Sequence, residues 1–274
     1  MERVGEHPIP AGPLAVRWQA YEVPEQRAGV TTTACVRLEN AGSAPWRSRG
    51  REGIQLAYHW LDPLGNAILW DGTRTPLPAL VRPGETVELE SSLTAPRPPG
   101  RYRLAFDLVD EFRFWFQEIG SAALDLPVEV RPRIDDRRLA VRMHGVSDPD
   151  VDAALAAQEE QLVEDDAAAV AHLVPGALPA PDWSRLVLDA HAEGYAAVGG
   201  AILAESRADR RRLAPWAPGG GRNPRFGEPL LLPSMRGCVE PEAHEGLPST
   251  SSHDGLFEGR AVIRLRSRSG RPSG

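Results

Sequence analysis

The sequence predicts a mainly β protein: an immunoglobulin-like antiparallel β-sandwich followed by a smaller helical and irregular C-terminal segment. Three observations predict it. From residue 14 to 131, short runs alternate apolar and polar residues with a period of two, the pattern of half-buried strands. These runs number roughly seven and are separated at regular spacing by Gly, Pro, Asn and Asp, as a two-sheet sandwich requires. Beyond Pro132 the composition shifts to alanine-rich acidic and then Pro/Gly-rich stretches.

Ala15 to Trp18 begins the strand set. Val30, Thr32, Ala34, Val36 and Leu38 then alternate with Thr31, Thr33, Cys35, Arg37 and Glu39, and Asn40-Ala41-Gly42-Ser43 closes that strand. Pro45-Trp46 reads as loop. Ile54, Leu56, Tyr58 and Trp60 alternate with Gln55, Ala57, His59 and Leu61. Asp62-Pro63-Leu64-Gly65-Asn66 supplies a turn, since Asx side chains bond nearby backbone, Pro pre-sets φ and Gly accepts positive φ. Ile68 to Trp70 is the return strand of this hairpin, ended by Asp71-Gly72. After Arg82-Pro83-Gly84-Glu85, Val87, Leu89 and Leu93 face inward and Glu88, Glu90 and Ser92 outward. Tyr102, Leu104, Phe106 and Leu108 form the next inner face. Asp110-Glu111 interrupts it before the aromatic run 112–116, and Leu124, Leu126, Val128 and Val130 complete the set.

The expected organisation is a sandwich over 14–131, a charged connector over 132–146, a helical and Pro/Gly-rich segment over 147–260 and a basic flexible tail over 261–274. Ser147 or Asp148 can cap a helix with Pro149 in its first turn. Val151, Leu155, Gln158, Leu162, Val170 and Leu173 approximate its stripe, with Pro175-Gly176 as the stop. Glu159, Glu160, Glu164, Asp165 and Asp166 form a solvated acidic face. A second helix runs from about Asp182 to Val198, stopped by Gly199-Gly200.

At 274 residues, with 42% hydrophobic and 25% charged residues, the chain has room for one large or two ordinary domains. A net charge of −7 gives nucleic acid no electrostatic support. Cys35 and Cys238 are the two cysteines; they fit free thiols in a reducing compartment better than a disulfide framework. The N-terminus lacks a signal-peptide apolar run, and no 18-residue apolar span occurs. A cytoplasmic protein with no transmembrane segment is expected.

The runs Asn40-Ala-Gly-Ser-Ala-Pro-Trp46, Leu56 to Leu61, Trp70 to Pro78, Pro83-Gly-Glu85, Ala95-Pro96, Pro99-Gly-Arg-Tyr102 and Asp107 to Glu111 with Trp115-Phe116 together resemble a bacterial Ig-like module. That module is associated with glycosyltransferases and methyltransferases of surface-polysaccharide assembly. The phrasing is also similar to the four-tryptophan Ig-like domains of autophagy receptors. The resemblance covers about residues 14–131 and implies a fold; site and chemistry are separate questions. A second likeness, in DAHAEGYAAVGGAI and the PRF…PLLLPS run, is to segments of large polysaccharide glycosyltransferases.

Tyr58, Trp60, Trp70, Trp115 and Phe116 could stack sugar rings, because a flat aromatic face suits the C–H side of a pyranose. They could equally fill the core. Tyr58 and Trp60 share a face with Ile54 and Leu56 and favour core; Trp70 and Trp115 border charged residues and stay open. His59, on the opposite face, with Asp62, Asp71, Arg74 and Glu111 near strand ends where loops gather, could form a polar glycan-recognition rim. Turn chemistry with a surface ion pair from Arg74 to an acid is the plainer alternative.

The Gly219-Gly220-Gly221 run before Arg222 lacks the lysine and preceding strand of a phosphate loop. His191 between Asp189 and Glu193 has no facing partner at helical spacing. His244 with Glu242 and Glu245, and His253-Asp254, match no zinc spacing. Neither cysteine carries a nucleophile signature, and no cofactor is expected. A non-catalytic module that recognises a glycan or docks a glycosyltransferase partner in cell-surface polysaccharide biosynthesis is therefore expected. The alternative is an accessory part or fragment of a glycosyltransferase whose catalytic domain lies elsewhere.

Overall fold

The computed structural model describes residues 1–143, 145–147, 149–173, 177–204 and 256–265. The Asp148 cap, the Pro175-Gly176 stop, the glycine run at 219–221, Cys238, His244, His253, the Pro/Gly-rich run after Leu213 and residues 266–274 lie outside the described residues. The chain divides into two units, Met1–Arg131 and Pro132–Gly274.

The first unit is the β-sandwich. One sheet has the order β1 (Glu2–Arg3), β2 (Val16–Glu22), β4 (Thr31–Asn40) and β9 (Thr86–Thr94), all antiparallel. The other runs β3 (Gln26–Arg27), β12 (Leu124–Arg131), β10 (Gly100–Asp110), β6 (Glu52–Leu61) and β5 (Ser48–Arg49). On the outer edge of β6, β7 (Ala67–Leu69) and β8 (Thr75–Pro76) also pair with it. A short β11 (Phe114–Trp115) folds back on β10 and leads into a 3-10 turn at Phe116–Ile119. Splitting the β6 edge into three short strands keeps that edge from offering a long free ladder to another chain.

The core lies between the sheets. Val16, Trp18, Ala34, Val36, Leu38, Leu89 and Leu93 from one sheet meet Leu56, Tyr58, Trp60, Leu104, Phe106, Leu108 and Leu124 from the other. Two polar handles tie the sheets together. The Trp60 indole N–H donates to the Thr94 carbonyl at 2.9 Å, and the Thr94 N–H donates to the Tyr58 hydroxyl at 3.1 Å. Tyr58 and Trp60 are thus core residues, as the alternation implies. Phe116 is core as well: it is fully buried and meets Trp46 edge-on at 5.7 Å, so it offers no face to a sugar. The 3-10 turn folds its ring inward, which sequence alternation along 112–116 does not reveal.

The second unit differs element by element from expectation. Within the segment read as a connector, β13 (Leu139–Met143) is the central strand of a parallel sheet, between β14 (Leu162–Val163) and β15 (Ala169–Leu173). The helix α1 is only Pro149–Ala156 and forms the crossover from β13 to β14. The stripe does not continue because Ala169, Ala171 and Leu173 turn inward while Val170 is exposed, a period of two carried by alanines with weak β-propensity. The acidic stretch is not a helix face. Glu159, Glu160, Asp165 and Asp166 meet Arg185, Arg137, Arg142 and Arg138.

After β16 (Ala177–Pro179), helix α2 (Trp183–Ala192) buries Trp183, Val187, Leu188 and Ala190 against Leu139, Ala171 and Leu173. It ends at Gly194, whose φ of 116° breaks the helix, not at the later glycine pair. Ala197–Ala204 is then a strand, β17, parallel to β18 (Leu256–Leu265). The first residues expected as a tail, 261–265, belong to β18: Val262 and Ile263 pair with Ala201 and Ile202.

Tyr58→Phe removes one cross-sheet bond and is expected to lower stability by about 1 kcal/mol. Trp60→Ala also opens a cavity and is expected to cost about 3–5 kcal/mol, while the exposed Ile68→Ala stays within about 0.5 kcal/mol. Urea-unfolding midpoints measure all three.

Candidate functional site

Strand β6 is buried on both faces. Its even-numbered residues fill the sandwich, and Gln55, Ala57, His59 and Leu61 on the other face are also shielded, together with Ala105, Asp107 and Val109 from β10. An apolar outer face needs a cover, and two loops supply it: residues 70–74 after β7, and the turn carrying Trp115 after β10.

Gly72 fixes the first loop. Its N–H donates to the Tyr58 carbonyl at 3.0 Å. A Cβ at this position would sit 2.5 Å from that oxygen and 2.8 Å from the Tyr58 ring, so only glycine lets the backbone come this close. Trp70 and Arg74 are thereby held on either side of the contact. The second loop is a tight hairpin in which the Arg113 N–H donates to the Asp110 carbonyl at 3.0 Å and Phe112 takes φ 63° with its ring in solvent. The Glu111 N–H donates to Gly53 at 3.0 Å, which sets the Glu111 carboxylate beside β6.

All six residues singled out as a site come together here. His59, 1% exposed, stacks on Trp70 with ring centroids 4.1 Å apart and planes 20° from parallel. Trp115 meets His59 edge-on at 4.4 Å and Trp70 at 6.1 Å. The Arg74 guanidinium lies 4.9 Å from the Trp115 ring centroid, a cation–π contact. It pairs with the Glu111 carboxylate and, at 2.5 Å, with Asp71. Trp70 remains 43% exposed.

His59 is therefore not part of a wet rim but the buried floor beneath two tryptophans. Its Nδ1 bonds the Trp70 carbonyl. A carbonyl only accepts, so Nδ1 carries the proton and Nε2 keeps its lone pair, which has no partner among the described residues. Burial holds this imidazole below its ordinary pKa range, and the charge of Arg74 adds to the effect. Burial alone would lower the Arg74 pKa, but the bonds and charges of Glu111 and Asp71 outweigh it and raise the guanidinium above its usual value. The ion pair is partly sheltered and shared between two acids, which goes beyond an isolated surface pair.

Sequence reasoning missed Gly72 as a close-approach residue, and it missed Asp107. Asp107 lies on the same buried face, accepting N–H bonds from Leu108 at 2.8 Å and Gln117 at 3.3 Å. Burial pushes its carboxyl up to about 7 despite those bonds, with Glu118 adding to the rise. Its place opposite Leu104, Phe106 and Leu108 gave no sequence signal, because an acid on the face away from a strand's apolar side is ordinary where that face is wet, and here it is buried.

Gly72→Ala forces the loop off β6 and is expected to lower stability by about 1–3 kcal/mol, with a red-shifted tryptophan emission as Trp70 and Trp115 lose their packing. Asp107 gives a pH signature. The folded chain holds its proton up to about pH 7, whereas the unfolded chain releases it near the ordinary carboxyl value of 3.8. Stability contributed by this group therefore falls as pH rises through that window. Asp107→Asn is expected to raise the melting temperature in alkaline buffer, by the equivalent of about 1–3 kcal/mol, and to have little effect in acid, where the native carboxyl is already neutral.

Comparison with known proteins finds no matching family model and no matching curated protein. Among solved structures, the C-terminal domain of Wzt is 13% identical with a TM-score of 0.32, covering 43% of this chain and 75% of that one. The ASH/PapD-like domain of human CEP192 is 16% identical with a TM-score of 0.25, covering 46% and 93%. A family 123 glycoside hydrolase from Clostridium perfringens is 11% identical with a TM-score of 0.24, covering 43% and 25%. Scores this low assign neither a family nor a chemistry.

Proposed function

We propose that the sandwich is a non-catalytic module that holds a glycan against Trp70, as part of cell-surface polysaccharide biosynthesis in the cytoplasm. The observation that carries the reading is the state of the Trp70 ring. One face is stacked on a buried imidazole while the residue is 43% exposed, so an indole is held in place at a position that still reaches solvent. A fixed aromatic plane binds a sugar ring with little loss of side-chain freedom. The Asp71 carboxylate beside it can accept from sugar hydroxyls. Trp115, Arg74 and Glu111 act as positioning residues, and His59 is the floor. Support for the location comes from Cys35, which carries a free thiol, and among the described residues no helix is long and apolar enough to cross a membrane.

A second reading, an accessory part of a glycosyltransferase, draws on the parallel β14-β13-β15 sheet with its helical crossover. All-parallel sheets belong almost wholly to α/β proteins, where enzymes are common. On that reading the sandwich docks the partner and the Trp70 surface meets protein.

Tryptophan fluorescence titrated with surface-polysaccharide fragments separates the two. A saturable change that Trp70→Ala abolishes, with the circular dichroism spectrum kept, is expected; loss of about 1–3 kcal/mol of binding is the scale of one aromatic stack. A flat titration with every fragment would remove the glycan reading and leave the docking one.

A further inference from the structure

Three charged side chains lie around Trp70. Asp71 follows it directly and its side chain is 70% exposed. Arg74 is shared between Asp71 and Glu111, so the three groups together carry one net negative charge. All three guanidinium nitrogens are engaged: Nε with Glu111, Nη2 with Asp71, and Nη1 with the Gly72 carbonyl at 2.9 Å. No free fork is left to grip a carboxylate or phosphate in two-point fashion. Two further arginines are ion-paired. Arg103 pairs with Asp125 through two nitrogens, and Arg113 pairs with Asp110 at 2.5 Å. His59 is buried, burial holds its pKa below the ordinary range, and its Nδ1–H donates to the Trp70 carbonyl. An acidic sugar laid on Trp70 would therefore meet an exposed carboxylate and, in Arg74, a guanidinium already held at all three nitrogens. A protonated amine would meet that carboxylate and the negative face of the indole.

We propose, building on the glycan reading, that the Trp70 platform selects amine-bearing sugars over N-acylated, uronic or phosphorylated ones, with the ammonium group paired to Asp71 at the edge of the indole. Asp71 sets the selectivity, and Trp70 supplies the stacking common to all sugars.

The test titrates the full chain, by tryptophan fluorescence in mildly acidic buffer, with glucosamine oligosaccharides, with N-acetylated oligosaccharides of the same length and with uronic-acid oligosaccharides. The free amine is expected to bind about tenfold more tightly than its acetylated counterpart, and the ratio is expected to shrink as salt is raised. Asp71→Asn is expected to collapse the ratio to about one, and Asp71→Glu to restore part of it; a general loss of fold would not act on the ratio selectively. Equal or tighter binding of the acetylated or uronic oligomers, or a ratio that Asp71→Asn leaves intact, overturns the selectivity and leaves the glycan platform standing. No response to any of the three removes the platform and the selectivity together.

Discussion

The rest of this structure depends on one constraint: strand β6 has two dry faces. A strand in an antiparallel sandwich ordinarily shows one face to the core and the other to water. Here the inner face anchors the two sheets through Tyr58 and Trp60 at Thr94. The outer face carries Ala57, His59 and Leu61, which are shielded just as fully. A second layer must therefore be built over part of the second sheet. The loops after β7 and β10 are shaped by that need, and the candidate site is a by-product of how they meet it.

Covering a sheet with loops brings polar groups into dry surroundings, and each has to be neutral or paired. The His59 Nδ1–H donates to a carbonyl while burial favours the neutral ring, Asp107 holds its proton up to about 7, and Arg74 is matched by two acids. The two groups respond to pH in opposite senses. Acid charges His59 against its surroundings and removes stability as pH falls below the ordinary imidazole range, whereas the contribution of Asp107 is lost as pH rises from 3.8 towards about 7. Trp70, part-exposed yet stacked on His59, is an aromatic residue that the cover leaves both held and open. A side chain clamped on one face has already lost the rotamer freedom that a ligand would otherwise have to remove.

The sandwich was legible because its strands carry large inward residues at a period of two: Val36 and Leu38, Leu89 and Leu93, Leu104 to Leu108. The second unit was not. Its inward residues at Ala169 and Ala171 are small, and Leu155 and Leu162 happen to stand at helical spacing although one lies on α1 and the other on β14. Arginine density disguised β13 as a connector, although Arg137, Arg138 and Arg142 pair with Glu160, Asp166 and Asp165, acids that the sequence placed on a helix face. The six site residues were legible as types near strand ends. Their meeting was not, because it depends on the close approach of Gly72 to Tyr58, a contact 14 residues apart that no periodicity encodes.

The central claim is that Trp70, and not the sandwich tryptophans, presents its ring to a ligand. It is tested most directly by following the indole N–H signals in a proton–nitrogen correlation spectrum while an oligosaccharide is added. The account predicts a progressive shift of the Trp70 signal, a smaller one for Trp115, and none for Trp18 and Trp60, whose N–H groups are committed to Ala122 and Thr94. A spectrum in which Trp70 stays fixed while another indole moves, or in which the core signals move with it, would contradict the account.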